Sequence, residues 1–122
     1  MTRRLRLSAA VALGGAALLM AGQAAAHAKL VGSAPAADAV VAAPKTISLT
    51  FSEKVVSAFS GFDLTMVEHN MKIPVTTAVS ADGKTITGTP QGAFMKGTYR
   101  VQWHAAGPDG HRMTGEVAFK VN

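Results

Sequence analysis

Two groups of residues with metal-binding chemistry lie far apart in the sequence. The first is His27, which follows the small residues 24–26 and would become the first residue after cleavage there. A terminal histidine offers its α-amine and its ring Nδ1 to one metal in a six-membered chelate ring. The ordinary pKa of an α-amine, about 7.7 to 8.0, lets Cu(II) displace the proton near neutral pH. Taken alone, His27 would equally fit a polar, frayed terminus.

The second group lies in residues 107–111, where Gly and Pro on both sides of Asp109 indicate a tight loop between two patterned strands. Asp109 and His111 are two positions apart, so both side chains can face the same way in an extended loop. Taken alone, the loop would be a plain Asp-Gly turn with an exposed histidine. Together with His27 it supplies three nitrogens and one oxygen, a tetragonal set that suits Cu(II) or Ni(II).

Residues 1–26 predict a cleaved secretory signal peptide. Arg3, Arg4 and Arg6 precede an apolar run over residues 7–21, and small residues then close the segment. The run is short for a membrane span of about 20 residues and lacks a basic stop, so an uncleaved anchor is the weaker alternative. The Arg-Arg pair leaves general secretion and twin-arginine export both open.

The position of the cut decides the chemistry of His27. Cleavage after Ala26 makes His27 the first residue. Cleavage after Ala24, which also has small residues in the required places, would make it the third. A third-position histidine binds Cu(II) through deprotonated backbone amides and needs no help from Asp109 or His111.

Residues 27–122 suit one small domain. Three of the twelve Lys and Arg lie in the predicted signal, which leaves nine against seven acids and a net charge of +2. Without a basic cluster, this charge gives no case for nucleic-acid binding. The chain has no cysteine, so a metal site must use His, Met, carboxylates or the backbone. We expect a monomer.

The pattern of residues 27–122 predicts an all-β domain of about seven short strands, a Greek-key sandwich or barrel. Tyr99, Val101 and Trp103 share one face of a strand, and Asp82-Gly83 indicates a hairpin turn. The segments that predict strands are 47–51, 62–66, 75–79, 84–88, 98–103 and 116–121. Prolines 35 and 44 leave room for at most one helical turn between them.

Several motifs in this order resemble the CopC copper-resistance proteins of bacterial periplasms. They are residues 27–36 (HAKLVGSAPA), 47–53 (ISLTFSE), 97–103 (GTYRVQW), 109–111 (DGH) and 115–121 (GEVAFKV). The resemblance covers residues 27–122 as one domain. It implies a Greek-key β-barrel of the cupredoxin or immunoglobulin-like kind. It also implies a periplasmic, non-enzymatic carrier or buffer of Cu(II).

The resemblance implies one Cu(II) per chain, bound by the His27 amine and ring, Asp109 and His111. Some members of the family add a glutamate from the Phe-Ser-Glu segment, so Glu53 is a weaker candidate ligand or a surface acid. Membrane proteins of copper transport are the implied partners.

A second, Cu(I) site is not expected. Some members of the family hold Cu(I) in a methionine-rich loop, because soft thioethers suit the reduced ion. Residues 66–71 lack such a dense run, and Met66 has the strand phase of a core residue. His69 and Met71 would be the remnants of such a site.

Two other functions compete with copper transport. The first is an oxidative copper enzyme like the polysaccharide monooxygenases, which also bind copper through a terminal histidine. Such enzymes use surface aromatics for the glycan, whereas Trp103 and Tyr99, the single Trp and Tyr of the chain, have the phase of core residues. The second is an adhesion or interaction module, which would leave the two groups of ligands as a coincidence.

Overall fold

The computed structural model describes residues 27–122, and the predicted signal peptide lies outside that range. Two 3-10 turns, Ser57–Phe59 and Val67–His69, accompany nine strands. The strands are β1 (Leu30–Ala34), β2 (Val40–Val41), β3 (Ile47–Phe51), β4 (Gly61–Met66), β5 (Met71–Ile73), β6 (Val75–Val79), β7 (Thr85–Pro90), β8 (Gly97–Ala106) and β9 (Arg112–Val121). Within the described range, no helix is long and apolar enough to span a membrane.

The strands form two packed sheets. One has four strands in the order β1-β3-β7-β6, and the other has five in the order β2-β9-β8-β4-β5. All neighbours run antiparallel except β2 and β9, which are parallel. The prediction of an all-β sandwich or barrel is therefore confirmed, and the two sheets form a sandwich.

The core lies between the sheets and is built from alternate residues of each strand. In β8 the buried face is Tyr99, Val101 and Trp103, which were predicted to share it. Trp103 meets Phe51 of the other sheet edge to face, with ring centroids 5.2 Å apart. Its indole lies over Gly115 on β9, where a Cβ would come within 2.5 Å of Trp103 Cζ2. Only glycine allows this approach, so the Trp103 ring and the β8–β9 hairpin are tightly packed together.

All six predicted strands are present, and three short strands were missed. β1 does not alternate, because its register is interrupted by an irregularity between Leu30 and Gly32. β2 has two residues and pairs only through the edge of β9. β5 has three residues and follows Asn70, whose φ of 50° reverses the chain after β4. β2 and β5 are too short for a periodic pattern, so only pairing with a neighbour defines them.

The fold brings the residues before β1 close to the loop between β8 and β9. The residues before β1 lie beside the four-stranded sheet, because Lys29 exchanges hydrogen bonds with Ser52 just after β3. Residues 107–111 form the hairpin loop of the five-stranded sheet, between Ala106 and Arg112. Contact between Phe51 and Trp103 joins these regions through the core. Both groups of candidate ligands therefore lie at one end of the sandwich.

Candidate metal centre

His27 is held close to the sandwich by its immediate neighbour. Ala28 is 1% exposed and belongs to the core cluster. A residue whose neighbour is buried cannot move far from the surface. In the described structure, burial of Ala28 therefore keeps His27 beside the sandwich.

The loop that carries Asp109 and His111 is closed by its own backbone. The Gly107 N–H donates to the His111 carbonyl at 3.2 Å, and the Gly110 N–H donates to the Gly107 carbonyl at 3.0 Å. Gly110 has a φ of +86°, which glycine adopts at little cost. Asp109 Oδ1 also accepts a bond from the His111 backbone N–H at 3.1 Å. This side-chain turn fixes Asp109 and His111 relative to each other.

The side chains of His27, Asp109 and His111 form a three-residue cluster. One candidate ligand atom from each lies within 4.8 Å of the other two. His27 Nδ1 is 4.0 Å from Asp109 Oδ2, and the two imidazole rings meet edge to face with centroids 4.8 Å apart. Ligand atoms about 2.0–2.1 Å from one metal stand roughly 3 to 4 Å from each other. The spacing of the candidate ligand atoms is therefore close to that which one ion requires.

A hydrogen bond within the cluster selects one nitrogen of His111. The His111 ring Nδ1 donates to Asp109 Oδ2 at 2.8 Å, because an ionised carboxylate can only accept. This leaves Nε2 of His111 with its lone pair free for a metal. Carboxylates commonly orient metal-binding histidines in this way. Asp109 therefore orients His111 as well as offering an oxygen.

The same bonds lower the pKa of Asp109. The bond from the His111 ring contributes most to the shift and the bond from the His111 backbone N–H comes next. The carboxylate therefore stays ionised at neutral and mildly acidic pH. Because the folded-state pKa is lowered, any stabilisation from these bonds is present above the ordinary Asp pKa and is lost as pH falls through the lowered value.

The cluster is accessible from solvent. The side chains of His27, Asp109 and His111 are 42%, 39% and 67% exposed. An exposed cluster of this kind can take up and release an ion without a large opening of the fold. It does not enclose a cavity around the ligands.

Glu53 and His104 lie outside this cluster. Glu53 is exposed and directly follows Ser52, and it is not among the three residues grouped within 4.8 Å. His104 is paired in register with Gly61 and faces away from the core, opposite to Trp103.

Replacing each carboxylate by the amide of the same shape tests whether Glu53 contributes to Cu(II) binding as Asp109 does. We expect Glu53→Gln to change the affinity for Cu(II) by less than about threefold, the scale of an exposed electrostatic contact. We expect the same change at Asp109→Asn to weaken binding by about tenfold or more, because it removes a charge and replaces one of the two oxygens that accept from His111 by an amide donor. Competition with a chelator measures both values. Equal losses in the two variants would make Glu53 a ligand.

His69 and Met71, the residues that a second, Cu(I) site would use, are both exposed. Met66 is buried, as its phase predicted, whereas Met71 beside it on β5 is 44% exposed. His69 lies in the 3-10 turn between β4 and β5 and is exposed. Within residues 27–122, one group of three or more His, Cys, Asp or Glu side chains could hold a metal, and it consists of His27, Asp109 and His111.

The fold and the cluster together define a class: a small two-sheet β-sandwich with an exposed His-Asp-His centre at one end. The CopC domain family matches residues 30–122, and the chain belongs to that family. It is 41% identical over 112 residues to "Copper resistance protein C" of Xanthomonas campestris pv. juglandis, covering 87% of this chain and 88% of the relative. It is 42% identical over 117 residues to the protein of the same name from Pseudomonas syringae pv. tomato, covering 91% and 93%.

A solved structure agrees with this assignment. The crystal structure of PcoC, described as a methionine-rich copper resistance protein from Escherichia coli, superposes with a TM-score of 0.74 at 42% identity. The match covers 80% of this chain and 100% of PcoC. The resemblance inferred from sequence motifs is therefore confirmed at the level of family and fold.

Proposed function

We propose that the protein is an exported carrier or buffer of Cu(II) in copper resistance and homeostasis, binding one ion per chain. The observation that carries this proposal is the cluster of His27, Asp109 and His111, in which one candidate ligand atom from each residue lies within 4.8 Å of the other two. Relatives at 41% and 42% identity are named copper resistance proteins, which supports copper as the cargo.

The donor set fits Cu(II). The proposed ligands are the His27 α-amine and Nδ1, His111 Nε2 and an oxygen of Asp109. Three nitrogens and one oxygen suit the tetragonal preference of Cu(II), and the absence of sulfur makes the set a poor one for Cu(I). Reduction should therefore release the ion. The role of the protein's own residues is to bind and orient, and we propose no catalytic step.

The site depends on removal of residues 1–26. While Ala26 is joined to His27, the nitrogen of His27 is a peptide nitrogen and cannot serve as an amine ligand. We therefore propose that residues 1–26 are a signal peptide cut immediately before His27, and that residues 27–122 are the mature copper-binding domain in the periplasm. The site would then form only in the processed protein. Membrane proteins of copper transport are the partners we propose for the loaded form.

Burial of the aromatic side chains favours a carrier over an oxidative enzyme. Trp103 is 9% exposed and Tyr99 is 1% exposed, so neither provides a surface on which a glycan ring could stack. The Tyr99 hydroxyl donates to the Met95 carbonyl at 2.8 Å and is committed to the fold. The aromatic platform expected of a polysaccharide monooxygenase is therefore not built from these residues.

A titration of the secreted protein tests the proposal. The intact mass should correspond to residues 27–122 and should rise by one copper after loading. We expect Cu(II) to quench the fluorescence of Trp103, since Ala106 at the base of the loop is three residues away, about 10 Å along the strand. Ascorbate should reduce the bound fraction. Equal affinity for Zn(II) and Cu(II), or no binding at the correct amino terminus, would contradict the proposal.

A further inference from the structure

The segment that carries His27 is fixed to the sandwich by a reciprocal pair of hydrogen bonds. The Lys29 backbone N–H donates to Ser52 Oγ at 2.9 Å. The Ser52 backbone N–H donates in return to the Lys29 carbonyl at 2.8 Å. Ser52 follows the last residue of β3, so these bonds tie the chain just before β1 to the end of β3. Both polar groups of the Lys29 backbone are thereby satisfied.

These bonds restrict the position of His27 from one side. Only Ala28, which is buried, separates His27 from Lys29. Without the Ser52 hydroxyl, the Lys29 N–H would lose its hydrogen-bond partner. Lys29 lies only two residues after the proposed amino terminus at His27. Terminal segments fray unless they are tied down. The hydroxyl therefore acts on the terminus that must present two of the proposed ligand atoms.

The segment after Ser52 also reaches the base of the metal loop. The Val56 backbone N–H donates to the Ala106 carbonyl at 2.8 Å. The Ala106 N–H donates in return to Oγ of Ser60, a residue that is 9% exposed. Ala106 is the last residue of β8, immediately before residues 107–111. Residues 52–60 thus contact the terminal segment at one end and the loop of Asp109 and His111 at the other.

We propose that Ser52 is a positioning residue of the copper site, holding the His27 segment at the distance from Asp109 and His111 that one ion requires. This inference rests on the proposed function. Ser52 does not touch the ion in this role. It acts through Lys29 and His27, and preorganisation of separate ligands by surrounding hydrogen bonds is what gives such a site its affinity.

A double-mutant cycle tests this role in the processed protein, with Cu(II) alone as the probe. We expect Ser52→Ala to weaken Cu(II) binding by about three- to tenfold, the scale of one net hydrogen bond. Ser52→Thr retains a hydroxyl and should restore the affinity. In the His27→Ala background, Ser52→Ala should have a smaller effect, because only the α-amine of residue 27 is then left to position. Electron paramagnetic resonance of Ser52→Ala should show a second Cu(II) population at neutral pH.

Ser80→Ala is the matched control. Ser80 Oγ accepts a bond from the Thr85 backbone N–H at 3.1 Å, as Ser52 Oγ does from Lys29, but in the β6–β7 hairpin. Ser80 Oγ also donates to Asp82 Oδ1 at 2.6 Å. We therefore expect Ser80→Ala to lower the melting temperature at least as much as Ser52→Ala does, while leaving the Cu(II) affinity within about twofold of the original.

The outcomes separate the two proposals. If His27→Ala binds Cu(II) as tightly as the unaltered protein, the proposed function is wrong. If His27→Ala loses affinity while Ser52→Ala does not, only the positioning role is overturned. An equal loss from Ser52→Ala with and without His27 would also overturn it, since the hydroxyl would then act on general stability.

Discussion

Replacing His27 by alanine is expected to lower the affinity for Cu(II) by about a hundredfold or more. Structural zinc sites with four ligands bind with about 10–16 kcal/mol, or about 3 kcal/mol for each ligand. Loss of one ring nitrogen should therefore cost about two orders of magnitude, since 1.4 kcal/mol is a factor of ten. The variant keeps an α-amine, so the loss reports on the imidazole. Chelator competition on the processed protein measures it.

A histidine elsewhere on the surface provides the control for His27. His69 lies in the exposed 3-10 turn after β4 and outside the cluster, so His69→Ala should leave the affinity unchanged. Equal losses in the two variants would show that copper binds by chance to any exposed imidazole. That result would remove the basis for the proposed function.

Extending the amino terminus separates the contribution of the His27 α-amine to Cu(II) binding from that of its imidazole ring. A Gly-Pro extension before His27 keeps the imidazole but moves the amine two residues away. Proline also has no N–H, so its nitrogen cannot replace the amine as a deprotonated amide ligand. We expect this protein to bind Cu(II) more weakly by at least the factor seen for His27→Ala. Undiminished binding would mean that the His27 amine is not a ligand.

Replacing Phe51 by alanine is expected to have the largest effect on stability. Phe51 is 1% exposed and meets the Trp103 ring, so it joins the two sheets beneath the metal loop. Removing a buried phenyl ring loses its transfer free energy and leaves a cavity, at a cost of about 3–5 kcal/mol. A small domain has a free energy of unfolding of only about 5–15 kcal/mol. Urea denaturation followed by Trp103 fluorescence measures the change.

Phe59 is the matched control for Phe51. It carries the same side chain but is 65% exposed in the 3-10 turn after residue 56. We expect Phe59→Ala to change the free energy of unfolding by less than about 0.5 kcal/mol, as exposed positions usually do. Similar losses for Phe51 and Phe59 would contradict the division between core and surface described here.

The long strands and their buried faces could be predicted from local sequence because they follow a period of two. Tyr99, Val101 and Trp103 alternate with polar residues, and each is buried. The hairpin at Asp82-Gly83 was equally local, since Gly83 has the positive φ that such a turn requires. β2 and β5 carry too few residues to show a period. They are strands only because β9 and β4 offer them a free edge.

The sequence by itself determined which residue types could bind copper, the family, and the class of fold. His27, Asp109 and His111 were selected by chemistry and by motif, without reference to distance. Tertiary structure alone decided that a residue before β1 of one sheet meets the β8–β9 loop of the other. It alone revealed the bonds of Ser52 with Lys29. Packing of two sheets creates contacts between residues far apart in the chain, and no local pattern encodes them.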